Sequence, residues 1–193
     1  ATNVIRTGML TLAYREYGTM MYTDMGMILG DVPAKYYTKH VFPVEKVTGQ
    51  KMRQTFTIEN YACLGCPIGC GREVKNFRPG IERVDGPEYE TLAAFGPLCM
   101  NFDPDSHVYA NHLCNANGLD TISAGVSIAY ALYLADKKVL TKKKAGMDLK
   151  WGDSKAIISL LKMIIARKGI GKLLAEGTLA MARELGRDEG EAA

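Results

Sequence analysis

Three cysteines within eight residues form the strongest chemical signal in the sequence. Cys63, Cys66 and Cys70 follow the spacing C-x2-C-x3-C, with Gly and Pro in the intervals. Short intervals let one loop place several thiolates around one soft metal centre, and glycines let backbone N–H groups turn toward inorganic sulfide. The pattern favours an iron–sulfur cluster over zinc, because zinc sites usually combine two separated C-x2-C pairs. It also differs from the C-x3-C-x2-C order of radical enzymes that use S-adenosylmethionine.

A [4Fe–4S] cluster needs a fourth ligand, which the three clustered cysteines do not supply. Cys99 and Cys114 are the remaining cysteines of the chain. Either can be the fourth ligand, or either can be a small core residue, since free cysteine is often buried as a small apolar side chain. A residue outside this chain is the third alternative, and the spacing alone does not choose among them.

Composition limits the classes of protein to which the chain can belong. Its 193 residues are 47% hydrophobic and 23% charged, enough for the core of one domain, or of one domain and a small subdomain. A net charge of +3, from 24 basic and 21 acidic residues, is too even to predict a nucleic-acid partner. No apolar run reaches the roughly 20 residues that span a bilayer. Five cysteines are too few and too clustered for a disulfide framework. We therefore expect a soluble cytoplasmic protein with neither a membrane nor a nucleic-acid partner.

The secondary structure expected around the cysteines differs from one stretch of the chain to the next. To about Gly49 the sequence is compatible with helices, and the tract Gly30–Pro33 predicts a turn because Pro restricts the backbone. Residues 50–105 are dense in Gly and Pro and predict loops with short helices, and a small hairpin near Val74 to Glu82. The helix breaks expected in the first stretch are Gly18, Gly26, Gly30 and Pro33.

Apolar periodicity predicts helices through the rest of the chain. A helix beginning at Asp120 or Thr121 and running to about Asp136 has almost no polar face, which predicts a central position. Period-two alternation of β-branched residues is scarce throughout. The predicted fold class is therefore mainly α, a multihelical domain with a loop-rich cysteine segment. Two further helices are expected, one beginning at Asp153 and ended by Gly169, and one over about Lys172 to Leu185 that ends at Gly186.

Three motifs occur in a fixed order along the sequence. The first is the cysteine segment, which ends in CPIGCGR; the second is DGPEYET at residues 85–91; the third is NGLDTIS at residues 117–123. In order and interval they resemble the tungsten-containing aldehyde ferredoxin oxidoreductases. The likeness extends to Gly18-Thr19, to Trp151-Gly152-Asp153 and to Leu174-Ala175-Glu176-Gly177, so it spans nearly the whole chain. Three motifs together are far more specific than any one of them.

The resemblance implies a fold and a place within a longer enzyme. Members of the family have an N-terminal β-rich domain that forms the base for a bis-pterin metal cofactor, followed by two mainly helical domains. Residues 1–193 are expected to form the middle domain, of the C-terminal type of the family, and the start at Ala1 without Met agrees with a piece of a longer polypeptide. The resemblance also implies that the fourth cluster ligand is a Cys in the last domain, which excludes Cys99 and Cys114 from that role.

The resemblance also implies roles for individual residues near the cysteines. Cys63, Cys66 and Cys70 would hold a [4Fe–4S] cluster. Arg72 would lie near that cluster or near a pterin phosphate, unless it is an ordinary solvated arginine. From the acidic tract, Glu88 or Glu90 would lie beside the metal, with Glu88 slightly favoured, and would orient an aldehyde or water or accept a proton. The simpler interpretation of the two glutamates is a capping or surface pair.

A third set of residues matches the family's pterin-binding pattern D-x-x-G-L-D/C. The segment runs from Asn115 through Leu119 to Asp120, with Asn at the first position where Asp is common. Asn115, Leu119 and Asp120 are therefore candidate cofactor-binding residues. Polar side chains and free N–H groups at a helix start suit pterin nitrogens and phosphate, although Asp120 can also be a plain N-cap.

The function implied by the resemblance is oxidation of an aldehyde to a carboxylic acid. A tungsten or molybdenum bis-pterin would take the electrons, and the [4Fe–4S] cluster would pass them to ferredoxin. The implied partners are ferredoxin, the aldehyde, the remaining domains of the same enzyme and a second copy of the chain in a homodimer. The chain alone is expected to be inactive, because one domain holds a shared cofactor weakly.

Two other functions remain open, and several side chains are expected to have ordinary roles. The alternatives are a subunit of a tungsten-dependent aromatic acyl-CoA reductase on the same scaffold, and a non-catalytic iron–sulfur or zinc-binding module. An iron shared between subunits is not predicted, because Tyr109 stands where a Glu-x-x-His site needs Glu. The three histidines, His40, His107 and His112, are expected to be surface or core residues. The lysines at 137–144 are expected to form a solvated loop or to face an acidic ferredoxin.

Overall fold

Helices make up most of the chain, and one small sheet interrupts them. The computed structural model describes residues 2–192. Three strands, β1 (Ile58–Tyr61), β2 (Gly71–Arg78) and β3 (Ile81–Asp85), form an antiparallel sheet in the order β1-β2-β3. The prediction of a mainly α fold is confirmed. The α-helices of the described residues are α1 (Thr2–Thr7), α2 (Met9–Tyr17), α3 (Tyr22–Leu29), α4 (Gly49–Thr55), α5 (Tyr89–Phe95), α6 (Pro104–Ala116), α7 (Thr121–Asp136), α8 (Lys142–Ala145), α9 (Ser154–Ala166), α10 (Gly171–Leu174) and α11 (Thr178–Glu184).

The sheet determines where the three cysteines lie. Strands β1 and β2 pair with Tyr61 opposite Gly71, so residues 62–70 connect two neighbouring strands. Strands β2 and β3 pair with Val74 opposite Val84, and both of these side chains are buried. The hairpin expected near Val74 to Glu82 is confirmed as β2–β3, and β1 extends it into a three-stranded sheet.

Helix α7 is the centre of the larger of two apolar cores. Asp120 begins it as the N-cap, with Oδ2 accepting a hydrogen bond from the backbone N–H of Ser123 at 2.7 Å. Nine of its sixteen residues are buried, which confirms the predicted central position. Ile128 and Leu132 share this core with buried side chains of α9, such as Leu160.

A smaller second core brings distant segments of the chain together. It contains Met20 from the N-terminal segment, Met52 from α4, Val74 and Val84 from the sheet, and Leu92 from α5. Because these side chains are nearly or fully buried, the core holds the N-terminal segment against the sheet and α5. The cysteine loop and the acidic tract before α5 are thereby anchored to one body. Among residues 2–192 no helix has both the length and the apolar character needed to cross a bilayer.

Three predicted helix boundaries are wrong, each because of a tertiary contact or a local backbone conformation. Gly26 lies inside α3, where a Cβ would come within 2.7 Å of the Val32 side chain, so it permits close packing and does not end the helix. The single helix expected from Lys172 is divided into α10 and α11, with Gly177 between them at a φ of 89°. Helix α9 ends at Ala166, and the left-handed C-cap is Arg167.

Replacement of Gly125 tests the close packing of α7 on α5. A Cβ at Gly125 would lie 2.6 Å from Cβ of Ala94. A Gly→Ala change inside an unpacked helix stabilises it by about 1 kcal/mol. We expect Gly125→Ala to lower the free energy of unfolding by about 1–3 kcal/mol instead, because two packed helices must move apart. Denaturant unfolding measures the change.

The matched control is Lys155→Ala, at an exposed position in the first turn of α9. It is expected to change the free energy of unfolding by no more than about 0.5 kcal/mol. If Gly125→Ala is as stable as the unmodified protein, α5 and α7 do not pack as closely as described.

Candidate functional site

The cysteine loop is held at the surface between two paired strands. Cys63 is exposed, and Cys66 and Cys70 are half-buried. The backbone N–H of Cys66 donates to the carbonyl oxygen of Cys63 at 2.9 Å, which closes a turn. The backbone N–H groups of Ile68 and Gly69 hydrogen-bond to the Cys66 sulfur and lower the pKa of its thiol. The loop therefore presents three thiols together with backbone donors that favour a thiolate.

Two arginines bind the carbonyl oxygens of this loop. Arg15 of α2 donates from Nε to the carbonyl oxygen of Ile68 at 2.9 Å and from Nη2 to that of Pro67 at 3.1 Å. Arg72 donates from Nη1 to the carbonyl oxygen of Cys70 at 2.8 Å. Two guanidinium groups therefore fix the second half of the loop and place positive charge beside a segment rich in thiols.

Arg72 also reaches the acidic tract. Its side chain is only 1% exposed, and Nη2 lies 3.0 Å both from the carbonyl oxygen of Pro87 and from Oε2 of Glu88. The interpretation of Arg72 as a solvated residue is therefore wrong. Its buried Nε has no hydrogen-bond partner within the described residues. One guanidinium thus connects the cysteine loop with Glu88.

A hydroxyl from a distant part of the chain, and not the Glu88 side chain, caps the N-terminus of α5. Glu88 occupies the N-cap position of α5, yet its side chain makes no capping hydrogen bond. Thr19 takes over that role, because its Oγ1 accepts the backbone N–H of Tyr89 at 2.8 Å and donates to Oε2 of Glu88. The capping interpretation is therefore wrong for the Glu88 side chain, and one of its oxygens binds both Thr19 and Arg72.

A cleft of about 500 Å³ lies beside Glu88. It brings Glu88, Glu90 and Asn115 together from α5 and α6, although Asn115 lies 27 positions after Glu88 in the sequence. Half of the remaining lining residues have neutral polar side chains, and their hydroxyls and amides can hold a polar ligand. These other lining residues are Asp85, Gly86, Thr91, Asn111, Thr121 and Ile122.

Hydrogen bonds fix the polar walls of this cleft. The hydroxyl of Thr91 donates to that of Thr121 at 2.8 Å, which links α5 to the first turn of α7. Asn111 is nearly buried on α6, and its Nδ2 donates to the carbonyl oxygen of Asp85 at the end of β3. Side-chain hydrogen bonds therefore join α5 to α7 and α6 to β3 at the walls of the cleft.

Leu119 and Asp120 lie apart from the other predicted site residues. They line a smaller cavity of about 110 Å³ on another side of the α7 N-terminus, next to Ser127 and Gly177. The carboxylate of Asp120 is engaged as the N-cap, and the hydrogen bonds from Ser123 lower its pKa. The structure therefore separates the third motif into Asn115 in the larger cleft and Leu119–Asp120 in the smaller cavity.

Cys99, Cys114 and His107 are core residues. Both cysteines are fully buried, and burial raises the pKa of the Cys99 thiol and raises that of Cys114 to about 12. His107 is also fully buried; its Nε2–H donates to the carbonyl oxygen of Asn101 at 3.1 Å, and Nδ1 has no partner within the described residues. Burial lowers the pKa of His107 to about 4, so its ring is neutral near neutral pH.

The donor chemistry of the loop fits an iron–sulfur cluster. Within residues 2–192 no three His, Cys, Asp or Glu side chains converge as a metal-binding set. The loop nevertheless supplies three thiols on one short connection, and backbone N–H groups toward the Cys66 sulfur. Arg72, two residues after Cys70, also has a buried Nε–H without a hydrogen-bond partner within the described residues. Thiolates with surrounding N–H donors are the ligand environment that iron–sulfur clusters use.

A comparison with protein families decides the membership of the chain. The family model described as "Aldehyde ferredoxin oxidoreductase, domains 2 & 3" matches residues 1–193. The chain belongs to the aldehyde ferredoxin oxidoreductase family. The family predicted from the three motifs is confirmed. Because the family model covers domains 2 and 3 together, the assignment of this chain to the middle domain stays a prediction.

Curated relatives within the aldehyde ferredoxin oxidoreductase family are oxidoreductases. The chain is 33% identical over 177 residues to the tungsten-containing aldehyde ferredoxin oxidoreductase of Pyrococcus furiosus, covering 90% of this chain and 29% of the relative. It is 34% identical, with the same coverage, to that of Thermococcus kodakarensis. It is 32% identical over 182 residues to the aliphatic sulfonate oxidoreductase, WOR-like subunit, of Pyrococcus furiosus, covering 92% of this chain and 29% of the relative. The chain therefore spans 29% of the length of these relatives.

A solved structure shares the aldehyde ferredoxin oxidoreductase fold of this chain. The active-site complex BamBC of benzoyl coenzyme A reductase, solved with 1,5-dienoyl-CoA, matches with a TM-score of 0.68. Sequence identity is 24%, over 89% of this chain and 26% of the other. At this level of identity the match establishes a common fold.

The sequence pattern does not reveal several residues of this candidate site. Arg15 and Asn111 carry no motif signal, and each contacts a partner that is far away in sequence. Thr19 belongs to the resemblance through the pair Gly18-Thr19, but nothing in that pair indicates a hydrogen bond to Glu88. These contacts depend on the second core, which the sequence pattern does not reveal.

Thiol alkylation tests the contrast between the loop and the core. In metal-free protein near neutral pH, we expect iodoacetamide to modify Cys66 well before Cys99 and Cys114. Thiolate is the reactive form, and the pKa of Cys66 is lowered while burial raises the pKa of the two core thiols. Peptide mass spectrometry after timed quenching gives the order.

Denaturant provides the control, because all five cysteines should then react at similar rates. Labelling of Cys99 or Cys114 in folded protein as fast as that of Cys66 would contradict their burial.

Proposed function

We propose that the complete protein containing this chain oxidises aldehydes to carboxylic acids and passes the electrons through a [4Fe–4S] cluster to ferredoxin. The observation that carries the proposal is the shared contact of Arg72, which binds both the Cys70 carbonyl oxygen and the Glu88 carboxylate. A loop suited to an electron-carrying cluster is thereby adjacent to a carboxylate that lines a cleft. Sequence identity of 33% to a tungsten-containing aldehyde ferredoxin oxidoreductase supports the same activity.

Cys63, Cys66 and Cys70 would hold the [4Fe–4S] cluster, and the fourth ligand would come from a residue outside this chain. The bis-pterin metal, tungsten or molybdenum, would supply the two-electron acceptor, and the cluster would supply a one-electron carrier. Arg15 and Arg72 fix the loop carbonyls and supply positive charge beside it. Positive charge and N–H donors near thiolate-bound iron favour its reduced form.

The residues of the cleft would bind the substrate and move a proton. Oxidation of an aldehyde with water to a carboxylic acid releases two electrons and two protons. Glu88 would accept one proton from the attacking water through its cleft-facing oxygen. The hydroxyls of Thr91 and Thr121 and the amide of Asn115 would orient the substrate or the edge of the pterin. Leu119 and Asp120 would approach the cofactor from the smaller cavity.

The partners and the location of the protein stay predictions. Ferredoxin, the remaining domains of the same enzyme and a second copy of the chain are the proposed partners, and the cytoplasm is the proposed location. The exposed lysines between α7 and α9 offer positive charge to an acidic ferredoxin.

Two alternatives have distinct experimental outcomes. The benzoyl coenzyme A reductase complex shares this fold, so the first alternative is a subunit of a tungsten-dependent aromatic acyl-CoA reductase. Reduction of an aromatic CoA thioester, without oxidation of any aldehyde in a broad panel, would support that activity. A non-catalytic iron–sulfur or zinc module would show neither activity.

Replacement of the loop cysteines tests the cluster. We expect Cys63→Ser, Cys66→Ser or Cys70→Ser in the complete protein to remove most of the bound iron and acid-labile sulfide. The brown charge-transfer absorbance should disappear with them, because a serine oxygen is a poor ligand for the soft iron–sulfur centre. Metal analysis and absorbance after anaerobic purification measure both.

Cys99→Ala and Cys114→Ala are the matched controls and should keep the full iron content. One stoichiometric zinc with no charge-transfer absorbance in the unmodified protein would contradict the cluster.

Replacement of each glutamate tests which one accepts the proton. We expect Glu88→Gln to lower kcat for aldehyde oxidation by about 10²–10⁴-fold, the usual contribution of a positioned acid or base. Glu90→Gln should lower it by less than about tenfold, since Glu90 is exposed and no partner fixes its side chain within the described residues. Steady-state rates with an artificial one-electron acceptor measure the difference.

Iron and tungsten content, measured on the same preparations, must be equal in the two variants. A greater loss in Glu90→Gln would assign the role to Glu90, and equal losses would contradict its assignment to Glu88 alone.

A further inference from the structure

We infer that Arg72 is a positioning residue for Glu88, holding one carboxylate oxygen so that the other faces the cleft. The inference rests on the proposed function and goes beyond it. It names the side chain that orients the proton acceptor and the oxygen atom that is left for the substrate.

The two oxygens of the Glu88 carboxylate have different surroundings. Oε2 lies 3.0 Å from Nη2 of Arg72 and also accepts the hydroxyl proton of Thr19. Oε1 has no hydrogen-bond partner within the described residues, and the side chain is 45% exposed where it lines the cleft. A carboxylate with one oxygen bound to two donors has little freedom to rotate, so Oε1 is the oxygen available to a ligand.

The guanidinium itself is fixed independently of Glu88. Nη1 donates to the carbonyl oxygen of Cys70, and Nη2 donates to that of Pro87, so two backbone groups set its plane. Gly18 allows this position, because a Cβ there would lie 0.9 Å from Nη1. The backbone of Gly18 has a φ of 59° and a ψ of −154°, a conformation that side-chain-bearing residues rarely adopt. Arg72 is therefore placed by the fold and does not follow the movements of Glu88.

Burial explains why this pairing orients Glu88 more strongly than a surface ion pair would. At 1% exposure the guanidinium is poorly hydrated, so its charge must be balanced by nearby acceptors. Glu88 provides the carboxylate that contacts it, and such a charge-assisted hydrogen bond is roughly twice as strong as a neutral one. Without the guanidinium, Thr19 alone would hold Oε2, and the half-exposed carboxylate could turn into solvent.

The test uses Arg72→Ala in the complete, metal-loaded protein, with guanidinium chloride as a rescuing ion. We expect kcat to fall by about 10²-fold, the cost of misplacing a reacting group by about 1 Å, while KM changes less than about threefold. Guanidinium at tens of millimolar should restore a substantial part of kcat by occupying the space beside Gly18. The unmodified enzyme and Glu88→Gln should show no such activation.

A second readout follows the carboxylate directly and needs no activity. A water-soluble carbodiimide with glycine ethyl ester labels accessible carboxyl groups, and it labels those held in ion pairs more slowly. Labelling of Glu88, measured by peptide mass spectrometry, should rise several-fold in Arg72→Ala and fall again when guanidinium is added. Labelling of Glu90 should stay constant and serves as the internal reference.

Two further variants keep the result interpretable. Arg83→Ala removes an exposed arginine that pairs with Glu73, and it should change neither kcat nor the labelling of Glu88. If Arg72→Ala fails to fold, Arg72→Lys serves in its place. A lysine keeps the charge but cannot bind two carbonyl oxygens and a carboxylate in one plane, so kcat should fall and Glu88 labelling should rise.

The outcomes separate the inference from the proposed function. Unchanged labelling of Glu88 in Arg72→Ala or Arg72→Lys overturns the inference, as does a loss of kcat that guanidinium does not restore in folded Arg72→Ala. An unmodified protein that oxidises no aldehyde overturns the proposed function, while the labelling experiment still decides whether Arg72 holds Glu88.

Discussion

The buried side chain of Arg72 connects the cysteine loop with the carboxylate that lines the cleft. Its guanidinium contacts the last cysteine of the loop, the backbone before α5 and the Glu88 carboxylate. Those groups come from two segments of the chain, the end of the cysteine loop and the residues just before α5, and the second core holds these segments together. A buried cation stabilises a fold only when acceptors surround it, because the loss of hydration costs several kcal/mol in proteins. The local geometry of the site is therefore arranged around a single charge.

The helix that carries the acidic tract shows how this arrangement affects a neighbouring residue. A carboxylate at an N-cap ordinarily binds the first backbone N–H groups of its own helix. In α5 the hydroxyl of Thr19 binds the N–H of Tyr89, and Glu88 turns toward Arg72. The N-terminus of α5 thus depends on a residue about seventy positions earlier, and the carboxylate is released for another role. At the next N-cap of the site, Asp120 binds Ser123 in the ordinary way and is less available to a ligand.

Local signals in the sequence predicted some of these features and could not predict others. The cysteine spacing located the loop, and the Asp120 cap with its apolar helix located α7, because both depend on residues that are close in the chain. The cap formed by Asp103, followed by Pro104, is a local signal that could also have revealed α6. The contacts of Arg15, Thr19 and Asn111 join segments that only tertiary packing brings together. Gly26 gave a misleading signal, since glycine both breaks helices and permits close packing, and the sequence does not distinguish these uses.

The pairing of Tyr61 with Gly71 in strands β1 and β2 holds the two ends of the loop of residues 62–70 together. The conformational entropy of closing this loop is therefore lost when the sheet forms. Metal binding does not have to lose the same entropy again. The reverse also holds, because opening of the β1–β2 pair would let the thiols separate in one event. Retention of a cluster would then follow the local unfolding free energy of the strand pair, and stability toward chelators would be a property of the sheet as much as of the sulfur ligands.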